Sequence, residues 1–154
     1  MRSDSAASTA TLAADDLEIG QRYDLGLFAV TESDIIDFSN HWDPQPFHCD
    51  PEVAREGYFG GIIASGVHTF AIFQRLAASA IYSSWAVIAG RRISDIELPR
   101  PVRGGMELHG SVTVVDIRHD KPGRSLVCIA GQLTAGEETV FSLRCEMYVR
   151  NTAS

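Results

Sequence analysis

The chain has 154 residues, of which 45% are hydrophobic and 21% charged, the composition of one ordinary soluble domain with enough apolar residues for a core. A net charge of −7 argues against nucleic acid or an anionic membrane surface as the main partner, because phosphate binding needs a basic face. No apolar run approaches the roughly 20 residues of a spanning helix. The first residues lack the basic cluster and apolar stretch of a secretory signal. Cys49, Cys128 and Cys145 are odd in number and have no CxxC spacing, which fits reduced thiols and a cytoplasmic protein.

Residues 1–16 are small and polar and are expected to be a disordered N-terminal segment, with one domain over 17–154. A first strand is expected over 21–30. Thr31 then has the character of a helix N-cap, with Glu32 and Asp34 in the first turn, for a helix over 31–40 that must stop before Asp43-Pro44. The stretch N-H-W-D-P-Q-P-F-H-C-D-P (40–51) reads as stiff and non-helical. It is followed by a short helix capped by Asp50 with Pro51 at its first position. After the glycine-rich G-Y-F-G-G (57–61), residues 65–83 form a helix apolar on most sides, hence enclosed rather than laid on a surface. Four strands follow, over 86–96, 106–117, 126–134 and 141–149. The last shows the clearest alternation, and turn residues at 120–124 and 135–138 join neighbours. Helices followed by strands indicate an α+β architecture. A long antiparallel sheet wrapped around one central helix, the hot-dog arrangement, satisfies the burial pattern.

Three stretches carry a family resemblance. D-P-Q-P-F-H (43–48) resembles the hydratase motif D-x-N-P-[LI]-H of the MaoC-like, (R)-specific enoyl-CoA hydratases. I-A-S-G-V-H-T (63–69) is similar to that family's entry into the central helix, and L-P-R-P-V-R-G-G (98–105) to its R-P-V-x-x-G-D segment. The similarity spans roughly residues 20–150. Gln45 stands where the motif has Asn, and Gln74 where some members have Ser.

The chemistry that such a family performs is addition of water across an α,β-unsaturated thioester. It needs a base for the water, a proton for Cα and a donor for the thioester oxyanion. The resemblance implies Asp43 and His48 as the catalytic pair, Asp43 taking the role of base and His48 holding and polarising the same water, without deciding which moves the proton. It implies the Gly66 N–H as oxyanion donor, at the positive end of the long helix. Ser65 and Gln45 are candidate binding neighbours, and Val67, Phe70 and Gln74 candidate pocket residues. It further implies an (R)-3-hydroxyacyl product, a CoA or acyl-carrier-protein thioester substrate as in fatty acid metabolism, no cofactor, and a homodimer or higher homo-oligomer with sheets paired edge to edge.

Plainer readings accompany each residue. Asp43-Pro44 is also ordinary turn chemistry, Ser65 an ordinary N-cap, and His48 could be a structural histidine. His41, Asp43, His48 and Asp50 lack the spacing of a zinc site, so no metal is expected. Arg91, Arg92, Arg100 and Arg103 could meet the phosphates of CoA or simply lie in solvent. The alternative functions are a hot-dog thioesterase, with Asp43 as sole base, and a non-catalytic acyl-thioester-binding or partner subunit.

Overall fold

The computed structural model describes residues 11–152. Strand β1 (Arg22–Ala29) leads into helix α1 (Glu32–Trp42), where Thr31 Oγ1 accepts the Asp34 N–H at 3.0 Å, the expected cap. Asp43 closes α1, its N–H donating to the Ser39 carbonyl at 2.9 Å. The segment after it departs from the sequence expectation. Pro46–Cys49 is not extended but a single helical turn, α2. Gln45 is extended, as a residue before proline must be, and Pro46 then sits at the first helical position, where its missing N–H costs nothing. Helix α3 (Pro51–Glu56) follows as expected, with Asp50 Oδ1 accepting from Glu52 N–H at 2.9 Å.

The central helix, α4 (Gly66–Ala80), is 15 residues long, about 22 Å, rather than the expected 19. Ile81 leaves helical geometry, and a 3-10 turn, Tyr82–Ser84, takes the chain onward. Ser83 and Ser84 hydroxyls donate to the carbonyls of Ser79 and Ile81, the local competition that makes serine a poor helix continuer. The helix is also less enclosed than its hydropathy suggests. His68, Thr69, Ile72, Phe73, Leu76 and Ala77 are buried, while Val67 and Gln74 are exposed, so one face is open.

Strands β2 (Val87–Glu97), β3 (Glu107–Lys121), β4 (Arg124–Ala135) and β5 (Glu138–Arg150) complete one antiparallel sheet in the order β1-β3-β4-β5-β2. Gly123 and Gly136, both at positive φ, make the β3–β4 and β4–β5 turns. The sheet curls around α4, and at Gly131 of β4 it packs tightly against the helix's Phe73. A Cβ there would lie 2.3 Å from Phe73 Cζ, so only glycine lets that buried ring reach the sheet. The fold is the hot-dog arrangement expected from the burial pattern. Strand β2 stands apart. It is an edge, its register with β5 is interrupted three times, and Val87, Ile88, Ile93 and Ile96 are all exposed.

The expected disorder through residue 16 fails for its second part, while residues 1–10 lie outside the described residues. Leu12 bridges to Trp85, donating to the Ser84 carbonyl at 2.7 Å and accepting from Ala86 N–H at 2.7 Å. A 3-10 turn follows at Ala14–Asp16, and Ala14 is buried. Small residues favour disorder in isolation, yet a small side chain also fits where the backbone runs close against its neighbours. Among the described residues no helix is long and apolar enough to cross a membrane.

Candidate active site

Asp43 ends α1 and Ser65 begins α4, and the two caps meet. Ser65 is fully buried. Its Oγ donates to Asp43 Oδ2 at 2.6 Å while accepting the Val67 N–H at 3.2 Å, so one hydroxyl both caps α4 and holds the carboxylate. The other carboxylate oxygen, Oδ1, accepts from Gln45 Nε2 at 2.8 Å. These two bonds, first from Ser65 and then from Gln45, hold the Asp43 carboxyl below the usual carboxylate range. Gln45 therefore orients Asp43 here, and its extra methylene relative to Asn does not prevent that contact.

His48 lies on α2 and is buried. Its Nδ1 is 2.7 Å from the Ile63 carbonyl. A carbonyl only accepts, so Nδ1 carries a proton and donates, and in the neutral ring Nε2 keeps its lone pair. That Nε2 faces Asp43 Oδ2 at 3.5 Å. Two acceptors at this separation want a donor between them, and a water giving one hydrogen to each would point its own lone pairs outward. The Phe47 ring packs on His48 at 4.1 Å and covers one side.

Gly66 opens α4 next to this pair, and the N–H groups of a first helical turn have no acceptor within the helix. His48, Gly66 and Thr69 border a cavity of about 260 Å³ that Phe59, Leu98 and Val102 also line. The expected pocket residues separate. Phe70 and Gln74 line a second, larger cavity of about 530 Å³ with Tyr82, Ile93, Cys145 and Met147, between α4 and the β2–β5 side of the sheet. Val67 borders neither cavity and is 55% exposed.

The arginines also divide. Arg91 pairs with Glu146 at 2.8 Å, and Arg103 donates to the Phe59 carbonyl at 2.7 Å. Arg100 borders the smaller cavity and Arg92 the larger. Among the described residues no cluster of three or more His, Cys, Asp or Glu could hold a metal ion. His68 lies one turn into α4, its ring stacked on Phe38 at 4.4 Å, and burial pushes its pKa down. Ser65 is legible in the sequence as a cap, but its bond to Asp43 is not, since it joins residues 22 positions apart. Ile63 and Leu98 open two of the stretches that carry the family resemblance, but nothing in hydropathy marks either residue for its contact.

Comparison with known proteins agrees with this fold. The MaoC-like domain matches residues 16–135. The chain is 34% identical over 111 residues to the uncharacterized protein YdeM of Bacillus subtilis (strain 168), covering 72% of this chain and 77% of that one. It resembles the crystal structure of a MaoC-like dehydratase from Rhodospirillum rubrum, with a TM-score of 0.85 and 34% identity over 93% of this chain and 99% of that one. The (R)-hydratase from A. caviae involved in PHA biosynthesis shares the fold, with a TM-score of 0.71 at 22% identity over 85% of this chain and 96% of that one.

Proposed function

This chain belongs to the MaoC-like domain family, and on that premise we propose that it is an (R)-specific enoyl-thioester hydratase, working reversibly on CoA or acyl-carrier-protein thioesters. The observation that carries the reading is that Asp43 meets Ser65, at the start of α4, and faces His48, which with Gly66 borders one small cavity. Water bound between Asp43 Oδ2 and His48 Nε2 attacks Cβ as it loses a proton. Two hydrogen bonds make Asp43 a weaker base, so we assign the proton to Nε2 and give Asp43 the work of orienting the water and balancing the imidazolium. Electron density moves from the C=C bond onto the thioester oxygen, where the Gly66 N–H and the positive end of α4 stabilise it. The enolate then collapses, and the proton on Nε2 goes to Cα. Water's oxygen is now on Cβ, its proton on Cα, and His48 is again neutral. The larger cavity, reached one to two turns along α4 at Phe70 and Gln74, takes the acyl tail.

We further propose a homodimer formed along β2. The unpaired ladder of that strand and its exposed Ile88, Ile93 and Ile96 support this, since a bare apolar edge otherwise invites indiscriminate pairing. The test of the activity is loss of enoyl absorbance with crotonyl-CoA, with product stereochemistry and free thiol followed in parallel. Hydration to the (R)-3-hydroxy product, without thiol release and abolished in Asp43→Asn, is the expected result. Thiol release would make the protein a thioesterase. Full activity in Asp43→Asn would remove Asp43 from the chemistry.

A further inference from the structure

Leu98 follows the last residue of β2 and precedes Pro99. A Cβ placed on Gly66 would lie 2.6 Å from Leu98 Cδ1, so the Leu98 methyl already occupies the space beside the Gly66 backbone that any other residue's side chain would take. Leu98 also borders the cavity shared by His48, Gly66 and Thr69. Its backbone has little freedom. A residue before proline is confined to extended conformations, Pro99 fixes its own φ, and Pro101 repeats the constraint two residues on.

These facts meet at one atom of the substrate. A thioester whose oxygen is bound at the Gly66 N–H has its carbonyl carbon beside Gly66, and Cα is the next atom toward His48. Both would then lie beside the Leu98 side chain, which fills the space next to Gly66. In that pose a methyl branch on Cα would meet the Leu98 isobutyl group, where a hydrogen would not. Resting on the hydratase reading above, we propose that Leu98 is a specificity-determining residue that restricts this site to enoyl thioesters unbranched at Cα. The side chain is 51% exposed, so it sits at the cavity's mouth and its truncation leaves the buried core untouched.

The experiment compares kcat/KM for crotonyl-CoA and for 2-methylcrotonyl-CoA in the wild type, Leu98→Ala and Leu98→Phe, with thermal unfolding of each variant as a check on folding. Differences in intrinsic reactivity cancel in the change of the ratio between variants. One misplaced methyl in an apolar site changes kcat/KM by roughly 10- to 200-fold. Leu98→Ala is therefore expected to lower the preference for the unbranched substrate at least about tenfold, and Leu98→Phe to raise it. A ratio unchanged across the three proteins, with crotonyl-CoA still hydrated, overturns the role of Leu98 and leaves the hydratase reading standing. Absence of turnover with both substrates in all three proteins overturns both.

Discussion

Removing one oxygen atom separates the two tasks of Ser65. In Ser65→Ala the Val67 N–H loses its cap and Asp43 Oδ2 loses its 2.6 Å donor. A serine cap replaced by alanine costs about 1 kcal/mol, and a hydrogen bond to a charged group contributes about 1.5–3 kcal/mol. The Asp43 side chain is 21% exposed, so water partly replaces the lost donor and the low end of the second range applies. The expected total is about 2–3 kcal/mol, which for a chain of this size lowers Tm by roughly 5–10 °C. Glycine is a tolerable cap, costing only a few tenths of a kcal/mol relative to serine, yet it also lacks the hydroxyl. Ser65→Gly should therefore recover much of the cap's share of stability. In both variants kcat should fall together, about tenfold for each 1.4 kcal/mol of lost positioning, with KM little changed. Unfolding curves and crotonyl-CoA kinetics on the two variants decide the matter. If Ser65→Gly kept wild-type kcat, or if activity merely followed stability, Ser65 would be a cap and nothing more.

The protonation of His68 can be read from stability alone. Burial lowers its pKa below the ordinary histidine value of 6.5, so the unfolded chain takes up the proton first, and stability falls as pH drops below 6.5 toward the folded value. His68→Phe keeps the stack on Phe38 and should flatten that fall in denaturant midpoints measured on either side of pH 6.5; an unchanged slope would refute the assignment. Gly131→Ala forces a methyl to within 2.3 Å of Phe73 Cζ, and overpacking of this kind costs about 1–3 kcal/mol or more, which Phe73→Leu should partly restore in the double variant. A wild-type Tm for Gly131→Ala would show that the ring can retreat. Gln74→Ser enlarges the cavity assigned to the acyl tail and should raise activity on octenoyl-CoA relative to crotonyl-CoA; an unchanged ratio would place the tail elsewhere. Ile88→Lys puts a charge on the β2 edge outside both cavities and should shift the protein toward monomer in sedimentation, and retention of the wild-type oligomer would refute pairing along β2.

Features with a local cause are legible in the sequence. The Thr31 cap, the Asp50-Pro51 start of α3 and the glycine turns at 123 and 136 each depend on a few adjacent residues. The α2 turn carries the same signal, a proline at the first helical position, but a second proline two residues earlier points to an extended segment and masks it. Val67 illustrates a different limit. Hydropathy gives an apolar residue the same value whether it faces a core or an open surface, and Val67 is exposed on a helix that reads as enclosed. The bond from Ser65 to Asp43 and the contact of Leu98 with Gly66 are tertiary, set by where the chain leaves β2 and where the α1–α2 segment lands, and no short window along the chain contains both partners.

The two ends of the described chain lie side by side. Asp15 Oδ2 accepts the Thr152 N–H at 3.4 Å, and Asn151 N–H donates to the Gly123 carbonyl at 3.0 Å, so the last residues are tied down beside the first. A short linker between the described ends could therefore close residues 11–152 into a ring, which could be reopened in the β4–β5 turn at Gly136. Asp43, His48, Ser65, Gly66 and Leu98 would remain on one uninterrupted piece. The permuted chain would lose a local hairpin and gain a pairing between its new ends, and such a rise in contact order slows folding. Its site would be assembled from the same contacts. The order in which the chain visits its strands governs how fast this structure is reached, whereas the proposed catalytic residues all lie within the one segment from Asp43 to Leu98.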